Sequence, residues 1–308
     1  MALRDVAMAY VAGVDRREGQ APPLQGGMMR LGEIEIRHIH GGVFWLDGGS
    51  MFGVVPKPLW EKKMPADERN RIPLAANSLL VRAGGKTILM ETGNGTKWDA
   101  KLRNIYGFAE GDPYADSLAK AGVKAEEVDL VINSHLHFDH AGGNTRLMDG
   151  RLVPTFPNAK YVVQRAELEH AMRPTERDRA SYYAHDFVPI TEAGKWQFVE
   201  GDTEILPGIN VVSMPGHNLS VQGVQIRGGG KTLMLVADLI PTRHHLPLPL
   251  IIAYDLYPLT TLETKRKWLG EIVGNGWIVA FGHDPDFPAG TLHERDGKVV
   301  CEPVDLNS

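Results

Sequence analysis

The sequence predicts an α/β protein, and three observations predict it. Short, nearly continuous apolar runs at 128–132, 232–237 and 277–281 read as buried strands. Stretches with helical spacing stand between such runs: Leu168 and Met172 fall four apart, and Leu262, Leu269 and Ile272 alternate with charges. Glycine turns at Gly84-Gly85 and at 228–230 join neighbouring apolar runs into hairpins. Each half of the chain repeats one scheme, a hairpin followed by strands that end in ionisable side chains.

In chain order, residues 1–28 read as an N-terminal extension or arm, with Gly, Pro and Gln crowded into 19–27. Such an arm suits packing against the body of the protein or against a second subunit, so a homodimer is an expectation. Residues 29–308 read as one domain. Residues 33–37 alternate polar and apolar, a half-buried strand. Residues 48–60 mix glycines and prolines with Met51, Phe52 and Trp60 and show neither period. They read as a loop whose large side chains either wall an apolar pocket or plug the core.

The runs 78–82 and 86–91 form the first hairpin, which ends in Glu91, and a helix over 116–121 precedes the strand at 128–132. A strand at 161–163 leads into a helix over 165–172. Residues 173–195 are charged and aromatic, with Tyr182, Tyr183, His185 and Phe187, and read as an insertion rimming a site. His170 and His185 lack partner spacing and read as non-ligands. A strand over 208–214 runs into Pro215-Gly216-His217, and the hairpin 221–227/231–237 delivers Asp238. A helix over 262–272 and a strand over 277–281 lead to Gly282-His283-Asp284, and a hairpin around Asp296-Gly297 closes the chain.

Composition narrows the function classes. A formal net charge of −5 without long single-sign runs leaves no basic footprint for nucleic acid. No stretch approaches the roughly 20 apolar residues that cross a bilayer. The single cysteine, Cys301, cannot form an internal disulfide and suits a reducing cytoplasm. The first residues carry no convincing cleavage site, so a cytoplasmic location is expected. Neither a dinucleotide fingerprint nor a phosphate-binding loop is present.

The chemistry concentrates in Ser134-His135-Leu136-His137-Phe138-Asp139-His140-Ala141-Gly142-Gly143. Three imidazoles and a carboxylate within six residues, directly after a strand, gain nothing from packing. Imidazole and carboxylate are the donors that zinc takes in a small shell, and a catalytic zinc keeps one position open. Four donors exceed that need, which points to two ions. The Gly-Gly pair permits a tight backbone turn. His217, Asp238 and His283 repeat the pattern at later strand ends. A carboxylate that follows an apolar strand is costly to bury unless it is paired or metal-bound.

His-x-His-x-Asp-His after an apolar strand resembles the metallo-β-lactamase superfamily of hydrolases, over roughly residues 30 to 290. With 49–60, 238–241 and 254–258, the motif is most similar to the N-acyl homoserine lactonase and organophosphate hydrolase branch. The resemblance implies a four-layer αββα sandwich with a two-metal site at one edge of its sheets. One ion would take His135, His137 and His217, the other Asp139, His140 and His283, and Asp238 would bridge them. Two divalent ions are implied, zinc first, with iron, manganese or cobalt as alternatives.

The implied reaction is hydrolysis by a hydroxide held between the ions, with Asp139 and Asp238 as the catalytic carboxylates. The implied substrate is a small ester, a quorum-sensing N-acyl homoserine lactone, its chain lying on Met51, Phe52, Trp60, Phe138 and Leu246. Some lactonases carry a tyrosine where this chain has Pro241. His245 or His244 is a candidate substitute, against the plainer reading of a solvated loop histidine. Glu91 stands where relatives have aspartate, in reach of hydrogen-bonding a ligand histidine from behind. Alternatives are an organophosphate triester hydrolase or general esterase at the same site, and a non-catalytic metal-stabilised scaffold. A thioester hydrolase acting on glutathione would be expected to carry basic groups near the C-terminus, and 301–308 has none. The redox branch replaces a motif histidine by glutamate, and His137 is intact.

Overall fold

The computed structural model describes residues 27–308, so nearly all of the arm expected at 1–28 lies outside the described residues. Two seven-stranded sheets form the body. The first is built from β1 (Met29–Leu31), β2 (Ile34–Asp47), β3 (Arg71–Ala83), β4 (Lys86–Met90) and β5 (Leu130–Ile132). A separate small hairpin follows, β6 (Thr145–Met148) and β7 (Arg151–Pro154), and then β8 (Lys160–Gln164) and β9 (Trp196–Val199) complete the first sheet beside β5.

The second sheet keeps chain order: β10 (Thr203–Leu206), β11 (Ile209–Ser213), β12 (Gln222–Gly228), β13 (Lys231–Leu235), β14 (Ile278–Ala280), β15 (Ala289–Arg295) and β16 (Lys298–Pro303). The helices are α1 (Gly48–Phe52), α2 (Lys57–Trp60), α3 (Ala100–Tyr106), α4 (Pro113–Lys120), α5 (Phe138–Ala141), α6 (Arg165–Met172), α7 (Ala184–Glu192) and α8 (Pro258–Asn275).

The two-residue period of the strands creates the layers. Leu79 and Val81 of β3 face the second sheet and meet Val224, Ile226, Leu233 and Leu235. Leu80 between them points the other way, to Tyr114 and Leu118 of α4, beside Leu89 and Val131. On the far side of the second sheet, Met234, Val236, Val279 and Phe281 pack on Trp268, Leu269 and Ile272 of α8. The result is helix, sheet, sheet, helix, the αββα sandwich that the motif implied. Each such fully buried aliphatic side chain contributes roughly 1.5–3 kcal/mol.

The helix expected over 262–272 extends to Pro258–Asn275, because Pro258 suits its first turn and Gly276, at φ 63°, closes it. The strand expected over 33–37 runs on to Asp47 and pairs with β3 through an irregularity between His40 and Val43. Residues 48–60 are not a loop, because they form α1 and α2. Five and four residues are too short to show a period, but the Asp47 side chain accepts a hydrogen bond from Ser50 N and starts the turn. Residues 173–195 include α7, which the sequence hid behind its internal Pro189.

Two parallel pairings position the functional edge. Met90 of β4 pairs with Ile132 of β5, and Leu235 of β13 pairs with Ala280 of β14. His135 and His283 stand three residues past Ile132 and Ala280.

Candidate metal centre

All seven donors singled out in the sequence converge in one buried cluster, the most exposed being Asp139 at 7%. Past β5 the chain runs extended to His137, which caps α5, and that single turn carries Asp139 and His140 back to the centre. The turn is held by close approach. A Cβ on Gly142 would lie 2.3 Å from the Asn94 carbonyl oxygen, and one on Gly143 would lie 2.3 Å from that of Thr92. The glycine pair therefore serves proximity; neither residue adopts a positive φ. Lys97 Nζ donates to the carbonyl oxygens of Gly142 and Thr145 and pairs with buried Asp186 at 2.9 Å.

The donor atoms form trios. His135, His137 and His217 make one, and His217 Nε2 lies 3.0 Å from His137 Nδ1. Asp139, His140 and His283 make another, with 3.0 Å between the Nε2 atoms of His140 and His283. Asp238 stands between them. Its Oδ2 is 3.4 Å from His217 Nε2 and 4.0 Å from His135 Nε2. Its Oδ1 is 3.1 Å from His140 Nε2 and 3.0 Å from His283 Nε2. Asp139 Oδ2 lies 3.5 Å from His283 Nε2.

This donor set fits a metal. His135 Nε2 and Asp238 Oδ1 are buried and have no hydrogen-bond partner among the described residues. Such atoms cost about 1–3 kcal/mol each when left unsatisfied. Nitrogen and carboxylate oxygen within a few ångströms of one another are the ligands of a divalent ion.

The electrostatics agree. Burial disfavours charge on every ring and holds His135 and His137 well below the usual histidine value. At His140 burial acts the same way, but Asp238, Glu91 and Asp139 outweigh it and drive the value well up. Burial pushes the Asp238 carboxyl up, but His140, His283 and His217 overcome it and keep it ionised. The cluster is an anionic focus that attracts positive charge, proton or metal.

Groups behind the rings set their aim. His135 Nδ1 is 2.9 Å from Ser134 Oγ, and His140 Nδ1 is 3.4 Å from Glu91 Oε1. Glu91 reaches that point from a backbone at φ 68° and also accepts from Ser134 N. His283 Nδ1 donates to the Ala75 carbonyl oxygen, and His217 Nδ1 donates to Asp255 at 2.9 Å. Thr261 holds the other Asp255 oxygen at 2.6 Å. Asp255 was not foreseen. The only signal was an aspartate amid the apolar residues of 250–257.

The expected substrate residues divide. Phe138 packs among Trp98, Tyr106 and Phe44 beside the centre. Phe52 is stacked between Trp60 at 5.4 Å and His245 at 4.7 Å. His245 donates to the Met51 carbonyl oxygen. Phe52, Trp60, Met51, His245 and Leu246 are all at most 3% exposed. For His245 this also replaces the solvated-loop reading. The aromatic groups that keep partial exposure around Phe138 are Tyr106, Phe108, Tyr183 and Tyr254, and of these only Tyr183 was in a stretch expected to rim the site. His170 pairs with Asp178 and His185 stacks on Tyr183, both outside the donor trios.

A helix–sheet–sheet–helix sandwich with nitrogen and oxygen donors gathered at its strand ends defines a metal-binding α/β protein. The family model for the metallo-beta-lactamase superfamily matches residues 71–283, and the chain belongs to that superfamily. It is 32% identical over 177 residues to an N-acyl homoserine lactonase of Bacillus cereus, covering 57% of this chain and 63% of that protein. It is 30% identical over 194 residues to the N-acyl homoserine lactonase AiiA of Bacillus thuringiensis subsp. kurstaki, covering 62% and 69%. The matches thus span about two thirds of the length of these curated lactonases. Among solved structures, a probable metal-dependent hydrolase from Staphylococcus aureus superposes with a TM-score of 0.83 at 29% identity, covering 90% of this chain and 99% of that one. AidC, a dizinc quorum-quenching lactonase in complex with a homoserine product, shares the fold with a TM-score of 0.76 at 23% identity, covering 92% and 99%.

Proposed function

We propose that the protein is a two-metal hydrolase that opens lactone esters, with N-acyl homoserine lactones as the substrate class. The observation that carries this reading is the orientation of Asp238, which turns one carboxylate oxygen to each histidine pair. His135, His137 and His217 hold one ion in this reading, Asp139, His140 and His283 the other, and Asp238 both. Zinc is the proposed ion, in keeping with the all-imidazole and carboxylate donor set.

When bound, such ions lower the pKa of water from about 15.7 toward neutrality and polarise a carbonyl oxygen. The chain's own residues supply the rest. Asp139, at the rim of the cluster and 3.5 Å from His283, is the carboxylate suited to move a proton at its Oδ atoms. The rings of Phe138, Tyr106 and Tyr183 exclude water from one flank and offer an apolar surface to an acyl chain. The lactonase relatives support the substrate class, and the net charge of −5 argues against a nucleic acid substrate.

The test is turnover by zinc-loaded protein of N-acyl homoserine lactones of several chain lengths, beside an aryl phosphotriester and a simple aryl ester. Lactone opening that strengthens with chain length is the expected result. Turnover confined to the phosphotriester or the aryl ester would replace the lactone reading.

A further inference from the structure

Four of the five ligand histidines have a hydrogen-bonding group behind the ring: Ser134, Glu91, Asp255 or the Ala75 carbonyl. His137 differs. It turns Nδ1 toward His217, and its other nitrogen, Nε2, is buried with no partner among the described residues. What abuts this ring is Tyr182, edge-on at 4.5 Å and 68°. Tyr182 is itself fixed. Its hydroxyl donates to Glu167 Oε1 at 3.0 Å and accepts from Asn218 Nδ2 at 3.0 Å.

Glu167 is fully buried on α6, and its carboxylate gathers more than Tyr182. Oε1 accepts from the backbone N–H of Leu136, the residue between His135 and His137, at 2.8 Å. Oε2 accepts from Nδ2 of Asn218, the neighbour of His217, at 2.7 Å. One carboxylate therefore joins the loops that carry all three histidines of the first trio. Burying a carboxylate is costly, and here three donors from three segments offset that cost.

We propose that Glu167 is a positioning residue for the His135, His137 and His217 ion site, acting on the His137 ring through Tyr182 and on the His217 loop through Asn218. The proposal rests on the reading of that trio as an ion site. Asn218 cannot rotate its amide freely, because Oδ1 accepts from Ser220 N at 2.7 Å. In Glu167→Gln, an amide oxygen that keeps Leu136 and Tyr182 turns its NH2 toward the NH2 of Asn218, donor against donor. In the double variant Glu167→Gln/Asn218→Asp, the donor and the acceptor exchange sides between positions 167 and 218 and the summed charge is unchanged, while the N–H that Asn218 donates to the Tyr182 hydroxyl is lost.

The experiment is zinc affinity by competition with a chromophoric chelator, with thermal unfolding of the metal-free proteins reporting folding separately. Glu167→Gln is expected to weaken one of two ions by about 10–100-fold, and the double variant to recover part of that loss. Parent-like affinity in Glu167→Gln, or no recovery in a folded double variant, overturns the proposal. Should Glu167→Gln not fold, Tyr182→Leu decides. It leaves Glu167 bonded to Leu136 and Asn218 and removes the ring against His137 together with the hydroxyl's bonds to Glu167 and Asn218. Loss of the same ion is expected, and unchanged affinity contradicts the proposal. Zinc affinity does not depend on the ester assays, so a parent inactive on lactones would leave this result standing.

Discussion

β5 and β14 are counterparts, each a short strand parallel to the second strand of a hairpin, and each ends three residues before a histidine of the donor cluster, His135 or His283. Their continuations differ. After His135 the chain winds into α5 and returns Asp139 and His140 to the centre within one turn. After His283 it passes to Asp284, which binds Arg243 and the backbone N–H groups of Asp286 and Phe287 and does not join the trios. The first sheet thus places four donors in six residues, whereas the second collects His217, Asp238 and His283 from separate strand ends. One four-residue helix makes the difference, and it teaches that halves with similar strand pairing need not supply a site evenly.

The largest effect is expected where the halves meet. Asp238→Ala removes the only carboxylate among the described residues that faces both histidine pairs, so turnover of every ester in the panel should fall to background. Retained turnover would break the equivalence of the two sides. Next comes support from behind. Asp255→Ala leaves His217 Nδ1 without its acceptor and should weaken zinc binding by about 10–100-fold in chelator competition. Thr261→Val, which only loosens Asp255, should lose less.

A pair of glycine substitutions sharpens the comparison at smaller cost. In the first half, Gly142→Ala sets a methyl 2.3 Å from the Asn94 carbonyl oxygen. It should destabilise the protein by about 1–3 kcal/mol in urea unfolding and lower its metal content. In the second half, Gly282→Ala meets nothing closer than His140 Cε1 at 3.7 Å and should change stability by no more than about 0.5 kcal/mol. Equal penalties would refute the assignment of close packing to the first half.

The last contrast concerns two lysines. Lys97 donates to two carbonyl oxygens of the first half with Asp186 as its counter-charge, whereas Lys265 of α8 donates to those of Pro247 and Leu250 at 2.9 Å. No carboxylate lies within ion-pair distance of Lys265 among the described residues, and burial lowers its amine to about 7 despite Asp255 nearby. The unfolded chain, with an ordinary lysine value of about 10.4, holds the extra proton between those limits. Raising the pH removes that advantage, so stability should rise between pH 7 and about 10. Lys265→Met should show a flatter rise than the parent in urea unfolding at two pH values, and an identical slope would contradict this.

What the sequence revealed follows from the same contrast. The donors were legible because each stands shortly after an apolar strand, and four of them share one short string of sequence. The layers were legible through strands such as 232–237 and through the helical spacing of 262–272. Asp255, Glu167 and Tyr182 were not, because their partners lie 38, 31 and 36 residues away and tertiary packing alone brings them together. α1 and α2 were too short for a period, and size and polarity do not show how deeply Phe52, Trp60 and His245 are buried.

If the two trios share one carboxylate, the number of zinc equivalents bound per chain, read by native mass spectrometry beside elemental analysis, is two in the parent and fewer in Asp238→Ala. A single equivalent in the fully loaded parent, or two retained in the variant, would contradict it.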